Sequence, residues 1–385
     1  MYHWHVSPDS TGMHISDFDY NLPPELIAQH PLPERDASRM MIVLRKEGRI
    51  IHSNFSDLPD DLQKGDVLVL NNTKVIPAKV WGDKDAAEVE FLFLKERGKG
   101  VWEVLCRPAK KIRTGDRITF ASGFIGEVIE VGEEGRRVLK FSGADVLGRL
   151  QKIGFAPLPP YIKRKKANKD LRPEDLERYQ TVYAKKEGAI AAPTAGLHFT
   201  AKILKSIRDK GVQVEQIALQ VGLATFQPMR VERIEDHRML EETYSIGKQA
   251  AKAISQAKKE SRSVVAAGTT VVRALESAFL LGADRGSPHQ EERSSSSALE
   301  PGQKAIRSID TSGIRPGTNT TSLFIHPGFK FQVVDKLLTN FHLSKSTLLM
   351  LVAAFAGHDL IMRAYKEAVR EKYRFFSYGD CMLIL

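Results

Sequence analysis

The chain has 385 residues, 57 of them Lys or Arg against 47 Asp or Glu, for a formal net charge of +10 and a pI near 9.4. That length suits about two domains with ample cores. Its two cysteines, Cys106 and Cys381, lie far apart in no Cys-x-x-Cys pair, which argues against a disulfide framework or a cysteine zinc site and suits a reducing cytoplasm. Residues 1–12 lack the apolar stretch of a signal peptide and read as a disordered extension, and no segment approaches the ~20 apolar residues of a membrane span.

In chain order, a short helix opens near Pro24 and ends before Pro31, and a strand from Arg39 to Arg45 returns through a hairpin at Lys46-Glu47-Gly48. Asp36, Ser38 and Arg39 either fix this loop or touch a ligand. Between Gly65 and Phe155 the texture turns to short β-rich runs: Val67 to Leu70, Val75 to Trp81, Val89 to Leu94, Val101 to Cys106, Arg117 to Phe120, Phe124 to Val131 and Arg136 to Phe141. Gly65-Asp66 and Gly115-Asp116 supply turns and helical periodicity is absent, so residues 66–155 are expected to form a small all-β barrel. A helix from Ala144 to Ile153 follows. Further on, strands at Val212 to Val221, Val264 to Ala267, Ser322 to His326 and Met382 to Leu385 alternate with helices at Ser245 to Lys259, Thr269 to Leu281, Val333 to Leu338 and Leu360 to Tyr373. This alternation predicts an α/β (α+β) main domain, discontinuous over 13–65 and 156–385, with the barrel inserted. The polar stretch 284–318, rich in Gly, Pro and Ser, reads as a flexible insertion loop. The run Lys163, Arg164, Lys165 and Lys166 is either a solvated loop or a contact surface for a polyanion.

The chemistry concentrates in Arg178 to Thr200. Gly188 to Gly196 is built from Gly, Ala, Pro and Thr, residues that bring backbone close to a ligand and leave N–H groups and hydroxyls facing it, Pro193 and Thr194 among them. The same run is equally a tight strand-to-helix connection. Thr200 reads as the N-cap of a helix from Ala201 to Lys210, and Lys345-Ser346-Thr347 as another helix start. Thr194, His198, Thr269, Thr270, Arg273, Glu276, Asn340, His342, Lys345, Tyr378 and Asp380 are the polar candidates for a site, none of them a self-sufficient motif. Gly268-Thr269-Thr270, where a strand feeds a helix, suits phosphate, carboxylate or ribose hydroxyls. Arg273 and Glu276, three apart, either pair on one helix face or contact ligand. His198 and His342, each with apolar neighbours, are either hydrogen-bonded core histidines or proton-transfer groups. Tyr179, Phe199 and Tyr378 could stack a base or fill a core. No Gly-x-Gly-x-x-Gly, Walker or metal motif is present.

Tyr179-Gln180-Thr181-Val182-Tyr183-Ala184 and the stretch Ala191 to Phe199 (AAPTAGLHF) resemble the signature of the S-adenosylmethionine:tRNA ribosyltransferase-isomerase family of queuosine biosynthesis. Blocks in the same order agree along nearly the whole chain: Asp36 to Leu44, NNTKVIPAK from Asn71, PLPPYI from Pro157, GTTVVRALE from Gly268, FIHPGFKF from Phe324, LTNFHLSKSTLL from Leu338 and YRFFSYGDCM from Tyr373. The resemblance begins just after Met13, which reads as the natural start. It implies an inserted barrel and an enzyme that joins the ribosyl part of S-adenosylmethionine to the aminomethyl group of a 7-deazaguanine at the tRNA wobble position, giving epoxyqueuosine, adenine and methionine. S-adenosylmethionine is then a co-substrate, no metal or permanently bound cofactor is needed, and tRNA is the partner, with no membrane or protein partner implied. His198, His342 and Glu276 are the expected catalytic residues; Tyr179, Pro193, Thr194, Gly196, Thr269, Thr270, Arg273, Asn340, Lys345, Tyr378 and Asp380 the expected substrate contacts; Lys163 to Lys166 the tRNA contacts. The chain departs from the family pattern at Gln220, Ala224 and Leu240, where His, Gly and His are usual, and at Ser344 in place of proline. A tRNA-binding protein without activity is therefore the competing expectation; an ordinary methyltransferase lacks its Gly-rich first-strand motif here.

Overall fold

A computed structural model describes residues 12–142, 145–164, 169–222, 229, 231–284 and 313–385. Lys165, Lys166, Ala224, nearly all of the N-terminal extension and most of the 284–318 loop lie outside them.

The first half contributes β1 (Arg39–Leu44), β2 (Arg49–Asn54), α1 (Leu58–Asp61), β3 (Val67–Asn71), β4 (Thr73–Val75), β5 (Lys79–Lys84), β6 (Ala87–Gly98), β7 (Val101–Arg107), β8 (Arg117–Phe120), β9 (Phe124–Val131), β10 (Arg136–Phe141) and α2 (Val146–Ile153). The second contributes α3 (Arg172–Arg178), β11 (Lys186–Ala189), α4 (Ala201–Asp209), β12 (Gln213–Leu219), β13 (Glu242–Ile246), α5 (Lys248–Lys259), β14 (Val264–Ala267), α6 (Thr269–Asp284), β15 (Gly317–Thr321), β16 (Lys336–Asn340), α7 (Thr347–Ala356), α8 (His358–Arg370) and β17 (Cys381–Ile384).

Nine strands form one mixed sheet in the order β15-β13-β12-β3-β14-β16-β17-β1-β2, and β10-β7-β6-β5-β8-β9 close a barrel. The mixed α/β domain with a closed all-β barrel is the expected fold class. The barrel interior is aromatic: Phe93 lies within ring contact of Trp102, Phe120 and Phe141, and Phe124 stacks on Phe141 at 4.4 Å. Gly126 makes room for this stack, since a Cβ there would stand 2.6 Å from the Phe141 ring.

Two expectations fail at strands buried on both faces. Val67 to Leu70, grouped with the barrel, is instead the middle of the nine-stranded sheet, parallel to β12 and to β14, so an inserted segment beginning at residue 66 starts too early. Val67 and Val69 enter the core under α5 and α6 while Leu68 and Leu70 enter the core under α4, which is why the run is continuously apolar. Val333 to Leu338, read as a helix, leads into strand β16, whose Leu337 and Leu338 lie opposite Ala266 and Ala267 of β14. The spacing of Val333, Val334, Leu337 and Leu338 imitates a helical face, and parallel pairing overrides it. The edge strand β15 is polar Gly-Thr-Asn-Thr-Thr, not Ser322 to His326, and it takes Gly317 and Thr318 out of the expected loop. The helix expected from Ser245 divides into the end of β13 and α5.

Helix starts follow their caps. Thr200 Oγ1 accepts from Ile203 N at 3.2 Å, opening α4, and Ser346 Oγ accepts from Leu349 N at 3.2 Å, opening α7.

Candidate active site

Strands β12, β3, β14 and β16 run parallel, and their carboxyl ends open onto one edge of the sheet, the place where open α/β sheets bind ligands. A cleft there is lined by Val221 beyond β12, Gly268-Thr269-Thr270 beyond β14, Thr339 to Leu343 at the end of β16, and Ala192 to Ala195 of the small-residue loop. Gly268 has φ of +100°, a conformation that glycine adopts without strain, and it lets β14 turn directly into α6. The N-terminus of that 16-residue helix and its free N–H groups thereby sit at the cleft. Asn71, the last residue of β3, ties the edge together: its Oδ1 accepts from Leu219 N at 3.0 Å and Thr73 N at 3.2 Å, and its Nδ2 donates to Leu219 O at 3.0 Å and Thr270 Oγ1 at 3.3 Å.

Of the expected site residues, Pro193, Thr194, Thr269, Thr270, Asn340 and His342 line this cleft. His342 is held by its backbone and one ring nitrogen: its N–H donates to Tyr365 Oη at 2.8 Å, and Nε2 lies 2.8 Å from Thr339 Oγ1. Burial pushes its pKa down to about 3, so the ring is neutral. Asn340 donates from Nδ2 to Phe376 O at 3.0 Å, while its Oδ1 is buried without a partner. Phe376, on the opposite wall, has a φ of +72°, a strained position for an aromatic residue.

The other candidates stand elsewhere. Glu276 is fully buried and accepts from the N–H groups of Gln332 at 2.9 Å and of Val333 and Val334 at 3.0 Å, fixing the approach to β16. Burial raises its pKa and those three N–H groups oppose the rise. Arg273 does not pair with Glu276; it forms a buried ion pair with Glu242 and donates from Nε to Leu323 O at 3.0 Å. Asp380 accepts from Arg39 N at 3.0 Å and Arg374 N at 2.8 Å, and Lys345 Nζ pairs with Asp19 at 2.7 Å. Gly196 is a packing residue, because a Cβ there would stand 2.2 Å from Tyr183 Oη. Tyr179 and Phe199 are buried in the cores, with Tyr179 edge-on to Tyr378 at 6.0 Å. His198 lies outside the cleft lining: Nδ1 meets Ser38 Oγ at 2.9 Å, its ring packs on Phe55, and burial lowers its pKa to about 4, opposed by the nearby Asn340 amide. Its Nε2 and Asn340 Oδ1 are near one another, yet neither completes a well-formed hydrogen bond. Of the basic run, Lys163 is exposed, whereas Arg164 forks onto Asp175 at 2.8 and 2.9 Å and donates to Gln29 O at 2.9 Å.

The sequence reading missed Tyr161, Phe341, Phe376 and Ser377, which line the cleft, and Asn71, which braces it. Tyr161 Oη and Ser377 Oγ are 2.7 Å apart. Their signal lay in the blocks beginning at Pro157 and Tyr373, which carry no charged residue type that points to chemistry at those positions.

The enclosed space is about 60 Å³. A nucleoside-sized ligand needs roughly 300 Å³ or more, so entry requires the walls to part. Val221 also lines a second crevice of about 510 Å³ between sheet and barrel, whose lining includes Glu96, Glu103, Glu187, Glu241 and Glu242; of these Glu103 pairs with Arg97 and Arg136, Glu187 with Lys74 and Glu242 with Arg273. Gln220 and Leu240, two of the positions at which the chain departs from the family pattern, line this crevice and not the cleft. Among the described residues no group of three or more His, Cys, Asp or Glu is arranged to hold a metal ion, and no single helix is long and apolar enough to cross a membrane.

A sequence model of a family described as queuosine biosynthesis protein matches residues 15–384. An S-adenosylmethionine:tRNA ribosyltransferase-isomerase of Halothermothrix orenii is 45% identical over 377 residues, covering 97% of this chain and all of the relative, and one of Carboxydothermus hydrogenoformans is 46% identical over 376 residues with the same coverage. The crystal structure of an S-adenosylmethionine tRNA ribosyltransferase from Thermotoga maritima aligns over 96% of this chain and all of that one, with a TM-score of 0.50 and 34% identity. Similarity over essentially the full length leads to one conclusion: the chain belongs to the queuosine biosynthesis family and is an S-adenosylmethionine:tRNA ribosyltransferase-isomerase.

Proposed function

We propose that this enzyme transfers and isomerises the ribosyl moiety of S-adenosylmethionine onto 7-aminomethyl-7-deazaguanine at the wobble position of tRNA, in the cytoplasm, forming epoxyqueuosine and releasing adenine and methionine. The observation that carries this reading is the cleft at the carboxyl ends of the parallel strands, where a neutral His342 shares a wall with Thr194, Thr269, Thr270 and Asn340. The reaction needs a base for the C5′ hydrogen beside the sulfonium, and a neutral imidazole accepts a proton. The imidazolium formed is a buried cation, so it has to be stabilised by negative charge developing beside it on the departing adenine. Hydroxyls of Thr194, Thr269 and Thr270 and the N-terminus of α6 are suited to hold that leaving group and the ribose.

In the crevice beyond Val221, Glu103, Glu187 and Glu242 are engaged in ion pairs, and Glu96 and Glu241 are the carboxylates suited to the cationic sulfonium and ammonium of S-adenosylmethionine. The tRNA base would then enter from the Tyr161 and Ser377 side. Because Gln220 and Leu240 lie in the crevice, their departure from histidine leaves the cleft's proton-transfer candidate in place, which favours an enzyme over a binding protein that has lost its chemistry.

Ribose-labelled S-adenosylmethionine incubated with tRNA bearing the aminomethyl-deazaguanine is the test, read by nucleoside mass spectrometry. Label in the RNA with adenine and methionine released in equal amounts is the expected result. S-adenosylhomocysteine as the product would indicate methyl transfer, and tRNA binding without adenine release would support the non-catalytic reading.

A further inference from the structure

Across Ser377 from the cleft lies a second recess, of about 20 Å³, whose wall includes Arg35, Arg178, His198, Tyr378 and, at the rim, Glu34. Arg35 Nη1 donates to Leu197 O at 3.2 Å and Nη2 to Glu177 O at 2.9 Å, while Arg178 donates to Pro33 O at 3.1 Å and Leu32 O at 2.6 Å. Arg374, which with Arg35 is close enough to disfavour a charged His198, donates to His30 O. Main-chain carbonyls thus fix three guanidinium groups in place. Among the described residues none of the three has a carboxylate within ion-pair distance; burial disfavours the charge of Arg35 and Arg374, and Glu177 and Asp380 support it from farther off. Arg178 Nε, Arg374 Nη1 and Tyr378 Oη are buried donors without partners at or beside this recess, and His198 Nε2, beside the Asn340 amide, completes no well-formed hydrogen bond. Tyr378 and His198 are 5% and 3% exposed, so water does not satisfy them from bulk.

Resting on the function proposed above, we infer that this recess seats one backbone phosphate of the tRNA, adjacent to the nucleotide whose base enters the cleft. A space of about 20 Å³ holds one or two oxygen-sized groups, enough for the anionic oxygens of a phosphodiester and too little for a whole amino acid. Guanidinium groups match a phosphate with paired donors. Ser377 lines both the cleft and the recess, so the two are neighbours as the sugar-phosphate and base of one nucleotide are. Burial and then the Asp175 carboxylate keep the Tyr378 hydroxyl protonated and able to donate, and Arg164, forked onto Asp175, stands near it with exposed Lys163 preceding in the chain. Glu34 is the one carboxylate in the lining; it is exposed and without an ion pair among the described residues.

The test uses an anticodon stem-loop carrying a single neutral methylphosphonate at each phosphate flanking the wobble nucleotide in turn, with direct binding to the full chain measured against salt. With wild-type protein, one position is expected to weaken binding about tenfold, the loss of one charge-assisted contact. In Arg178→Gln that same methylphosphonate should produce no further loss, and the slope of log affinity against log salt should be shallower by about 0.7–0.9, with KM for S-adenosylmethionine unchanged. Tyr378→Phe, which removes one oxygen and keeps the packing, should show the same non-additivity at the same position, so the test survives if Arg178→Gln does not fold. Equal losses at every position in wild type and variants would overturn the seat. A raised KM for S-adenosylmethionine with unaltered RNA affinity would overturn it in favour of the methionine carboxylate. Adenine release by wild type on modified tRNA is measured in parallel: its absence removes the enzymatic reading itself, whereas release without a position-specific methylphosphonate effect removes only the phosphate seat.

Discussion

The barrel, whose strands alternate buried and exposed residues, and the open edge of the large sheet, whose central strands are buried on both faces, solve opposite problems. Inside the barrel nearly every polar atom has a partner, and Trp102 Nε1 is the one buried exception among its described strands. Around the sheet edge the orphaned atoms gather: Asn340 Oδ1, His198 Nε2, and the hydroxyls of Tyr179, Thr181, Tyr183 and Tyr378. Since each unmet buried polar group destabilises the fold by about 1–3 kcal/mol, the edge carries a burden that the barrel does not. That concentration sets the edge apart from the barrel. The barrel contributes one wall of the crevice beyond Val221, and the edge holds the cleft to which the proposed chemistry is assigned.

Substitutions should separate the two. The largest effect is expected from His342→Ala, which should lower the rate of adenine release about 10²–10⁴-fold if His342 moves the proton, with the melting curve little changed. A parallel loss of melting temperature would show instead that the Thr339 and Tyr365 contacts make His342 a packing residue. Next comes Phe93→Ala in the barrel, where the deleted ring leaves its contacts with Trp102, Phe120 and Phe141 unfilled. It should cost about 3–5 kcal/mol of stability while kcat of the folded fraction stays near wild type. A lost kcat with an intact fold would erase the distinction between the regions.

Acid provides the third and most graded separation. His198 and His342 have pKa values lowered by burial to about 4 and about 3. The unfolded chain, with histidines near 6.5, therefore binds more protons than the native one below that pH. Stability should fall as pH drops from about 6.5 toward 4, approaching 1.4 kcal/mol per pH unit for each histidine. Barrel strands β5 to β10 contain no histidine. Amide exchange followed from pH 7 to 5 should therefore show protection lost first at the sheet, and earlier loss in the barrel would contradict this assignment.

Much of the edge was legible because its residues carry chemical signs: Gly268-Thr269-Thr270 after an apolar strand, Ser346 and Thr200 as caps, Asn340 and His342 as polar interruptions of apolar runs. Illegible parts fall into two kinds. Val67 to Leu70 and Leu337-Leu338 are buried on both faces, and a run without alternation reveals neither its period nor its partner. Glu276 and Asp380 resembled catalytic carboxylates by residue type, but their oxygens are occupied by main-chain N–H groups, a distinction that depends on loops 56 and 341 residues away in sequence. His198 reached its place through Ser38, 160 residues earlier. Residue type announces polar capacity, and only the tertiary fold decides whether a ligand or the backbone uses it.

The placement of the barrel has a consequence for how the chain finds its fold. It is threaded between β3, an interior strand of the sheet, and β12, the strand that pairs with β3 in register Val67 to Gln213. Its own pairings are mostly between successive strands, β5 with β6, β6 with β7, β8 with β9 and β9 with β10. Such local contacts form early, whereas the central parallel pairing must close a long loop. A barrel that condenses first turns that floppy loop into a compact bead and draws the two strands of the future active edge toward each other. Condensing the inserted barrel in this way lowers the entropic cost of closing the central β3–β12 pair.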